Sequence, residues 1–237
     1  TNNIQTWLHC ANIWNKSYTT INQVLADTST LLALISSNNA ADYMARSTSW
    51  ASAVTANSSA MAYIGANNYC ANKLLQNSTW LNAICNSTYI ESVLNVKVPT
   101  MTSNTTPSGV VRTSSSFDVN AYPAWKCFDG LLSTFHAHYN GATNGWEEYA
   151  FTSAVQIYAV KFARRGINDA YVWKVCASND GSNYTDIKTN ISTPGTGGEQ
   201  YEPVVILNNS TKYRYWRLQC TDSKPGDLRE IQFYGRA

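Results

Sequence analysis

Two histidines, His136 and His138, stand two residues apart in the segment STFHAHYNGATNGWEEY, residues 133 to 149. On a strand, positions i and i+2 share a face, so the pair could grip one metal ion. His9 is the only other histidine, and Cys10, Cys70, Cys85, Cys127, Cys176 and Cys220 form no CxxC pair, so the spacing offers no third or fourth zinc ligand. Polar loop residues without a ligand are the plain alternative. The adjacent carboxylates Glu147 and Glu148 point to opposite faces of a strand and cannot flank one glycosidic bond. Gly-x-Ser-x-Gly, a phosphate loop and a catalytic Cys/His arrangement are all missing. TPGTGGEQY (193 to 201) is Gly-rich but lies between no strand and helix, so it reads as a loop. An enzyme is not expected.

The composition narrows the partners. Of 237 residues, 14% are charged and the formal net charge is +2, which leaves no basic stripe for a phosphate backbone. Nucleic acid is therefore not an expected partner. Polarity comes from Ser, Thr and Asn, and 12% of the chain is aromatic, a mixture suited to β-structure and sugar-binding surfaces. The cysteines fall within apolar strand-like runs or interior repeat positions, where a thiol acts as a small hydrophobe. They read as free, buried thiols of a chain assembled in a reducing bacterial cytoplasm, even if it later works outside the cell. No basic, apolar leader opens the sequence, and no apolar run approaches the roughly 20 residues that span a bilayer. Because Thr1 is not a natural start, a longer protein is expected.

The elements that must position these groups divide in two. From Trp7 to residue 96 the chain falls into a ten-residue frame. Its first position reads Trp7, Ser17, Asp27, Ser37, Ser47, Asn57, Asn67, Asn77, Ser87, after the first copy all residues that cap helix N-termini. Its eighth reads Trp14, Val24, Leu34, Met44, Val54, Ile64, Leu74, Ile84, Leu94, an apolar column. Positions four and five are mostly apolar as well, so the spacing is helical. Ten residues fall about 80° short of three helical turns, and the recurring Ser, Asn and Asp predict a break in every copy rather than a supercoil. Short helices of about two turns, stacked as a solenoid, are expected at 1–96.

Residues 97–109, with two prolines and a terminal glycine among small polar residues, read as a linker. Beyond it, VQIYAVKFA (155 to 163), YVWKVCAS (171 to 178), EPVVILN (202 to 208), YRYWRLQCT (213 to 221) and EIQFYG (230 to 235) are strand-like runs split by turn residues. They predict an antiparallel β-sandwich over 110–237. Asn179-Asp180-Gly181 marks a hairpin turn. The predicted class is thus α + β multidomain, a short-helix repeat stalk followed by the sandwich.

AWKCFDG (124 to 130), VCASNDGSNY (175 to 184), YRYWRLQC (213 to 220) and LREIQFYG (228 to 235) occur in that order. Together they resemble the discoidin, or coagulation factor five/eight type C, superfamily, including the family 32 carbohydrate-binding modules. The resemblance implies a galactose-binding-like jelly roll with a glycan held by loops at one end. It carries His136 and Tyr139, then Arg164 or Arg165 with Asn168, onto the family's sugar-binding positions; Trp146 would add an aromatic platform and Asp118 an acceptor. It also implies a structural Ca²⁺ held by Asp129, Thr134 and Glu230, with backbone carbonyls near Cys127 and Leu131. The ten-residue repeat resembles short repeats in tail proteins of phages that infect gut bacteria, which implies a tail-fibre tip, a trimer, and a virion-tail or extracellular location. A non-catalytic receptor-binding protein is the expected function, with a structural assembly protein or adhesin as the alternative.

Overall fold

A computed structural model describes residues 3–138, 143–165, 171–193, 200–222 and 225–236. The chain forms two compact units, Thr1–Asn95 and Val96–Ala237.

The first unit is built of α1 (Ile4–Cys10), α2 (Ile21–Ala26), α3 (Thr28–Ser36), α4 (Asn38–Arg46), α5 (Ala51–Thr55, preceded by a 3-10 turn at Thr48–Trp50), α6 (Ser58–Ala66), α7 (Asn68–Leu75), α8 (Ser78–Cys85) and α9 (Ile90–Val93). Successive copies are broken into separate short helices as expected, and at five of the breaks a capping side chain accounts for it. Asp27, Ser37, Asn57, Asn67 and Asn77 each accept a hydrogen bond from a backbone N–H of the following helix. Apolar positions four, five, eight and nine turn inward, as Ala60, Met61 and Ile64 show in α6 and Cys70, Ala71, Leu74 and Leu75 in α7.

Each helix packs on the helix three places on: α1 on α4 on α7, α2 on α5 on α8, α3 on α6 on α9. Three ten-residue copies therefore complete one coil. Polar groups stitch successive coils together: Ser37 Oγ donates to the Cys10 carbonyl at 3.1 Å, Asn67 Nδ2 to that of Ile35 at 3.1 Å, and Ser87 Oγ to that of Thr55 at 2.6 Å. Inside the coil, Trp7 and Trp80 donate their indole N–H groups to the carbonyls of Ala40 and Met44. Gly65 lies where a Cβ would come within 1.7 Å of the Ser92 carbonyl oxygen, so this turn admits no side chain. The first copy departs from the frame. Asn12 takes a left-handed φ of 59° after α1, and Trp14 is exposed and stacked on His9 instead of joining the eighth-position column.

The second unit has β1 (Val96–Lys97), β2 (Val110–Thr113), β3 (Trp146–Arg164), β4 (Tyr171–Ser178), β5 (Thr185–Thr193), β6 (Val205–Ile206), β7 (Tyr213–Cys220) and β8 (Leu228–Arg236), all paired antiparallel. The long β3 belongs to two sheets. Its first part pairs with β2 and β7, extending through β4 to β5; its second part pairs with β8 and β6, with β1 beyond β8. The register slips between Ala150 and Val155, where the strand passes from one sheet to the other. Trp173, Trp216, Phe162, Phe233, Leu218 and Ile157 fill the space between.

The structure corrects the reading of 97–109 as a linker. Val96 and Lys97 pair with Gly235 and Tyr234, and Val98 and Met101 are core residues of the β unit. Buried apolar side chains outweigh the Pro- and Gly-rich composition here. The expected turn at Gly181 is formed, with φ +73°, and Trp216, Leu218 and Cys220 share the inner face of β7, whereas of EPVVILN only Val205–Ile206 is strand. None of the six cysteines is bridged, and all but Cys10 are buried.

Candidate functional site

One rim of the β unit carries a cleft of about 290 Å³ lined by Phe117, Tyr122, Ala137, His138, Arg165, Pro225 and Asp227. Its wall is aromatic. Tyr122 stacks on Phe135 with centroids 4.7 Å apart and leans toward Phe117, a ring that is 56% exposed. The Arg165 guanidinium lies 4.1 Å from the Phe135 centroid and pairs with Asp227 at 3.2 Å. Asp227 also accepts from the His138 backbone N–H at 3.0 Å, so one carboxylate fixes both the arginine and the cleft floor. With 45% of its side chain exposed, Arg165 retains N–H donors for a ligand.

Beneath that floor lies a buried polar cluster. Glu147, on β3, is fully buried; His136 Nδ1 and His138 Nε2 both lie 2.8 Å from its Oε1. His136 Nε2 is 2.9 Å from Ser116 Oγ, and His138 Nδ1 is 3.2 Å from the Ser115 carbonyl. Burial disfavours the His138 imidazolium, but the facing Glu147 charge outweighs it, so the pKa rises. Burial would likewise raise Glu147; the facing His138 charge and the His136 hydrogen bond reverse that and hold it low. Gly145 makes room for the ring, since a Cβ there would meet the Pro225 carbonyl at 1.9 Å and His138 Nε2 at 2.6 Å.

A third polar group surrounds the Phe128-Asp129-Gly130 turn. Gly130 adopts φ +76°, which lets its N–H reach Glu230 Oε2 at 3.1 Å. Asp129 accepts from the Leu131 N–H at 2.9 Å, and the Thr134 hydroxyl lies 2.7 Å from its Oδ2 and 3.1 Å from the Leu131 carbonyl. Only 8% of Asp129 and 2% of Glu230 is exposed. Burial first, and the neighbouring Asp129 charge second, push the Glu230 pKa up to about 9 against the pull of the Gly130 N–H. Two carboxylates, a hydroxyl and a carbonyl so arranged fit a hard cation. Leu131 sends its side chain to solvent and keeps its carbonyl in the turn, while Cys127 buries its thiol.

The structure separates the residues expected to face a sugar. Arg165 reaches the cleft. Arg164 is buried on Glu202 at 2.8 Å, withdrawn from the surface by that ion pair. His136 is fully buried and held by Glu147 and Ser116, so it supports the floor instead of meeting solvent. Trp146 points to the outer face of its sheet, under the Arg217 guanidinium at 3.6 Å, because it shares that face with Glu148 and not with Glu147. Asp118 closes a local turn on the N–H groups of Asn120 and Ala121. Tyr139 and Asn168 lie outside the described residues. Sequence reasoning missed Phe117, Tyr122, Phe135 and Asp227; the two rings of SSSFDVNAY, set among small and polar residues, were the available signal.

A family model described as F5/8 type C domain matches residues 111–231. No match is found among curated proteins. Among solved structures, the chain is similar to a chitosan-binding module 1 derived from a chitosanase/glucanase of Paenibacillus sp. IK-5, at 23% identity over 56% of this chain and 98% of that chain, TM-score 0.45. It is similar to CpGH89CBM32-5 from Clostridium perfringens, in complex with GalNAc-beta-1,3-galactose, at 15% identity over 53% and 94%, TM-score 0.46. A CBM62 from Clostridium thermocellum aligns at 26% identity over 54% and 96%, TM-score 0.42.

Proposed function

The chain belongs to the F5/8 type C domain family, and from that premise we propose that its β unit is a non-catalytic glycan-binding module whose rim cleft takes one sugar residue. The observation that carries this reading is the juxtaposition of an aromatic wall, Phe117 and Tyr122, with the fixed Arg165–Asp227 pair. A pyranose has an apolar face of C–H groups and an edge of hydroxyls. The rings would cover the first, while the guanidinium and carboxylate would supply donors and acceptors to the second. Galactosides are the first class to test, by glycan array and calorimetric titration. Arg165→Ala and Tyr122→Ala should each weaken binding at least tenfold without changing the fold. Failure of the unaltered protein to bind any glycan would sink the proposal.

The helical coil suits a stalk that carries such a module in a phage or prophage tail fibre or on a cell surface, and several copies, three in a trimer, would turn weak single-site binding into firm attachment. Asp129, Thr134 and Glu230, with carbonyls of Cys127 and Leu131, would hold a structural Ca²⁺, whose charge would offset the two buried carboxylates. The outer face of β2, β3 and β7 favours a second reading, docking onto another protein. There Arg217 lies between Trp146 and Tyr184, and Arg112 and Arg214 lie over Tyr215, an Arg- and Tyr-rich surface of the kind found at interfaces. Loss of assembly in Arg217→Ala with sugar binding intact would identify that role.

A further inference from the structure

We infer that the buried cluster beneath the cleft is a zinc-type metal site formed by Cys127, His136, His138 and Glu147. The sequence supplied only the histidine pair; folding brings the missing ligands. Cys127, His136 and Glu147 are all buried, and one ligand atom from each lies within 4.8 Å of the others. His138 Nε2 stands 2.8 Å from Glu147 Oε1. A tetrahedral zinc ion spaces its nitrogen, oxygen and sulfur ligands roughly 3.3–3.6 Å apart. Both histidine–Glu147 separations, 2.8 Å, are shorter than that, and those of the Cys127, His136 and Glu147 triplet do not exceed 4.8 Å, so the side chains would have to shift apart to admit the ion.

Three features separate this cluster from an ordinary hydrogen-bonded core. Each imidazole is held at its outer nitrogen, His136 by the Ser116 hydroxyl and His138 by the Ser115 carbonyl, which turns both inner nitrogens toward the Glu147 carboxylate. Metal-binding histidines are oriented in this way. Among the buried polar side-chain atoms of the described residues without a hydrogen-bond partner, His138 Nε2 and Glu147 Oε2 belong to the cluster. The short His138–Glu147 approach is therefore an ionic contact without hydrogen-bond alignment. Finally, the Cys127 thiol can release its proton without stranding its acceptor: the Leu228 carbonyl that it meets at 3.4 Å also accepts from the His136 N–H at 2.9 Å. A thiolate, a carboxylate and two neutral imidazoles balance a dipositive ion, and thiolate with imidazole selects zinc over calcium. On binding, the thiol and the imidazolium each lose a proton to solvent, so loading is pH-dependent.

Such an ion would tie the turn at Cys127, the His136–His138 segment and the start of β3 to one point under the cleft. The test is Co²⁺ and Zn²⁺ titration of the 237-residue chain after chelator treatment. One equivalent of Co²⁺ should produce a thiolate-to-metal charge-transfer band with intense four-coordinate visible bands, unaffected by excess Ca²⁺ and displaced by Zn²⁺. Cys127→Ser should abolish the charge-transfer band, and His138→Gln should weaken Zn²⁺ affinity at least tenfold. Because either variant can misfold, the unaltered chain provides the independent readout: Zn²⁺ should raise its melting temperature and dipicolinate should lower it again. Absence of the charge-transfer band in the unaltered chain, or its persistence in Cys127→Ser, would leave only a buried His–Glu–His hydrogen-bonded clamp and overturn the inference.

Discussion

Glu230→Gln exchanges a carboxyl group held at about 9 for an amide of the same shape that can still accept from the Gly130 N–H. The ordinary value is 4.5. A carboxyl whose folded pKa is raised is more easily protonated in the folded state, so it opposes folding increasingly as pH climbs from the ordinary value toward the folded one. Between pH 4.5 and 7 the folded carboxyl keeps its proton while the unfolded one releases it, which at 1.36 kcal/mol per unit costs the metal-free protein about 3 kcal/mol. Glutamine carries no such penalty. In chelator, the unaltered chain should lose that much β-unit stability over the interval relative to the variant, a divergence on the order of 1–3 M in the urea midpoint. Hydrogen exchange of peptides from β3 and β8 assigns the change to the β unit. Added Ca²⁺ should restore the unaltered protein at pH 7 and leave the variant unmoved. Parallel pH profiles for the two proteins would refute the reasoning, because Glu230 would then ionise in the fold as it does in water.

Other outcomes follow from particular contacts. Gly65→Ala should destabilise the helical unit by at least about 2 kcal/mol in thermal or urea unfolding, since its methyl group meets backbone at 1.7 Å. Asn57→Ala should cost about 1 kcal/mol, the worth of a helix cap; Asn67→Ala should cost about 2 kcal/mol, because Asn67 also donates to the Ile35 carbonyl of the preceding coil. Trp146→Ala should leave sugar affinity within about twofold while Tyr122→Ala lowers it at least tenfold, as titration would show, because only the tyrosine lines the cleft.

What the sequence revealed tracks how local each cause is. The helix breaks were legible because Asp27, Asn57 and Asn77 act on N–H groups two or three residues away. The three-helix coil was not, because the ten-residue frame records only which side of each helix turns inward. Strand β5 escaped notice since most of it is exposed, with Asn190 at φ 54°, so it lacks an alternating apolar face. Alternation correctly sent Glu147 and Glu148 to opposite sides, yet it could not show that both sides are closed. Glu148 is buried by Arg112, Arg217 and Tyr184, and Glu147 by the two histidines. That burial moved His136 from rim to interior. The cleft itself joins Phe117 and Tyr122 to Asp227 across about half the chain, a juxtaposition only the sandwich creates.

The packing of each short helix on the one three places later makes the N-terminal coil a ruler with a built-in compass. Gaining or losing thirty residues would change its length by one full level and return every side to its former bearing. A single ten-residue insertion would instead swing the part of the coil beyond it by about a third of a revolution. Selection for greater length at an unchanged bearing would therefore be expected to add copies in threes.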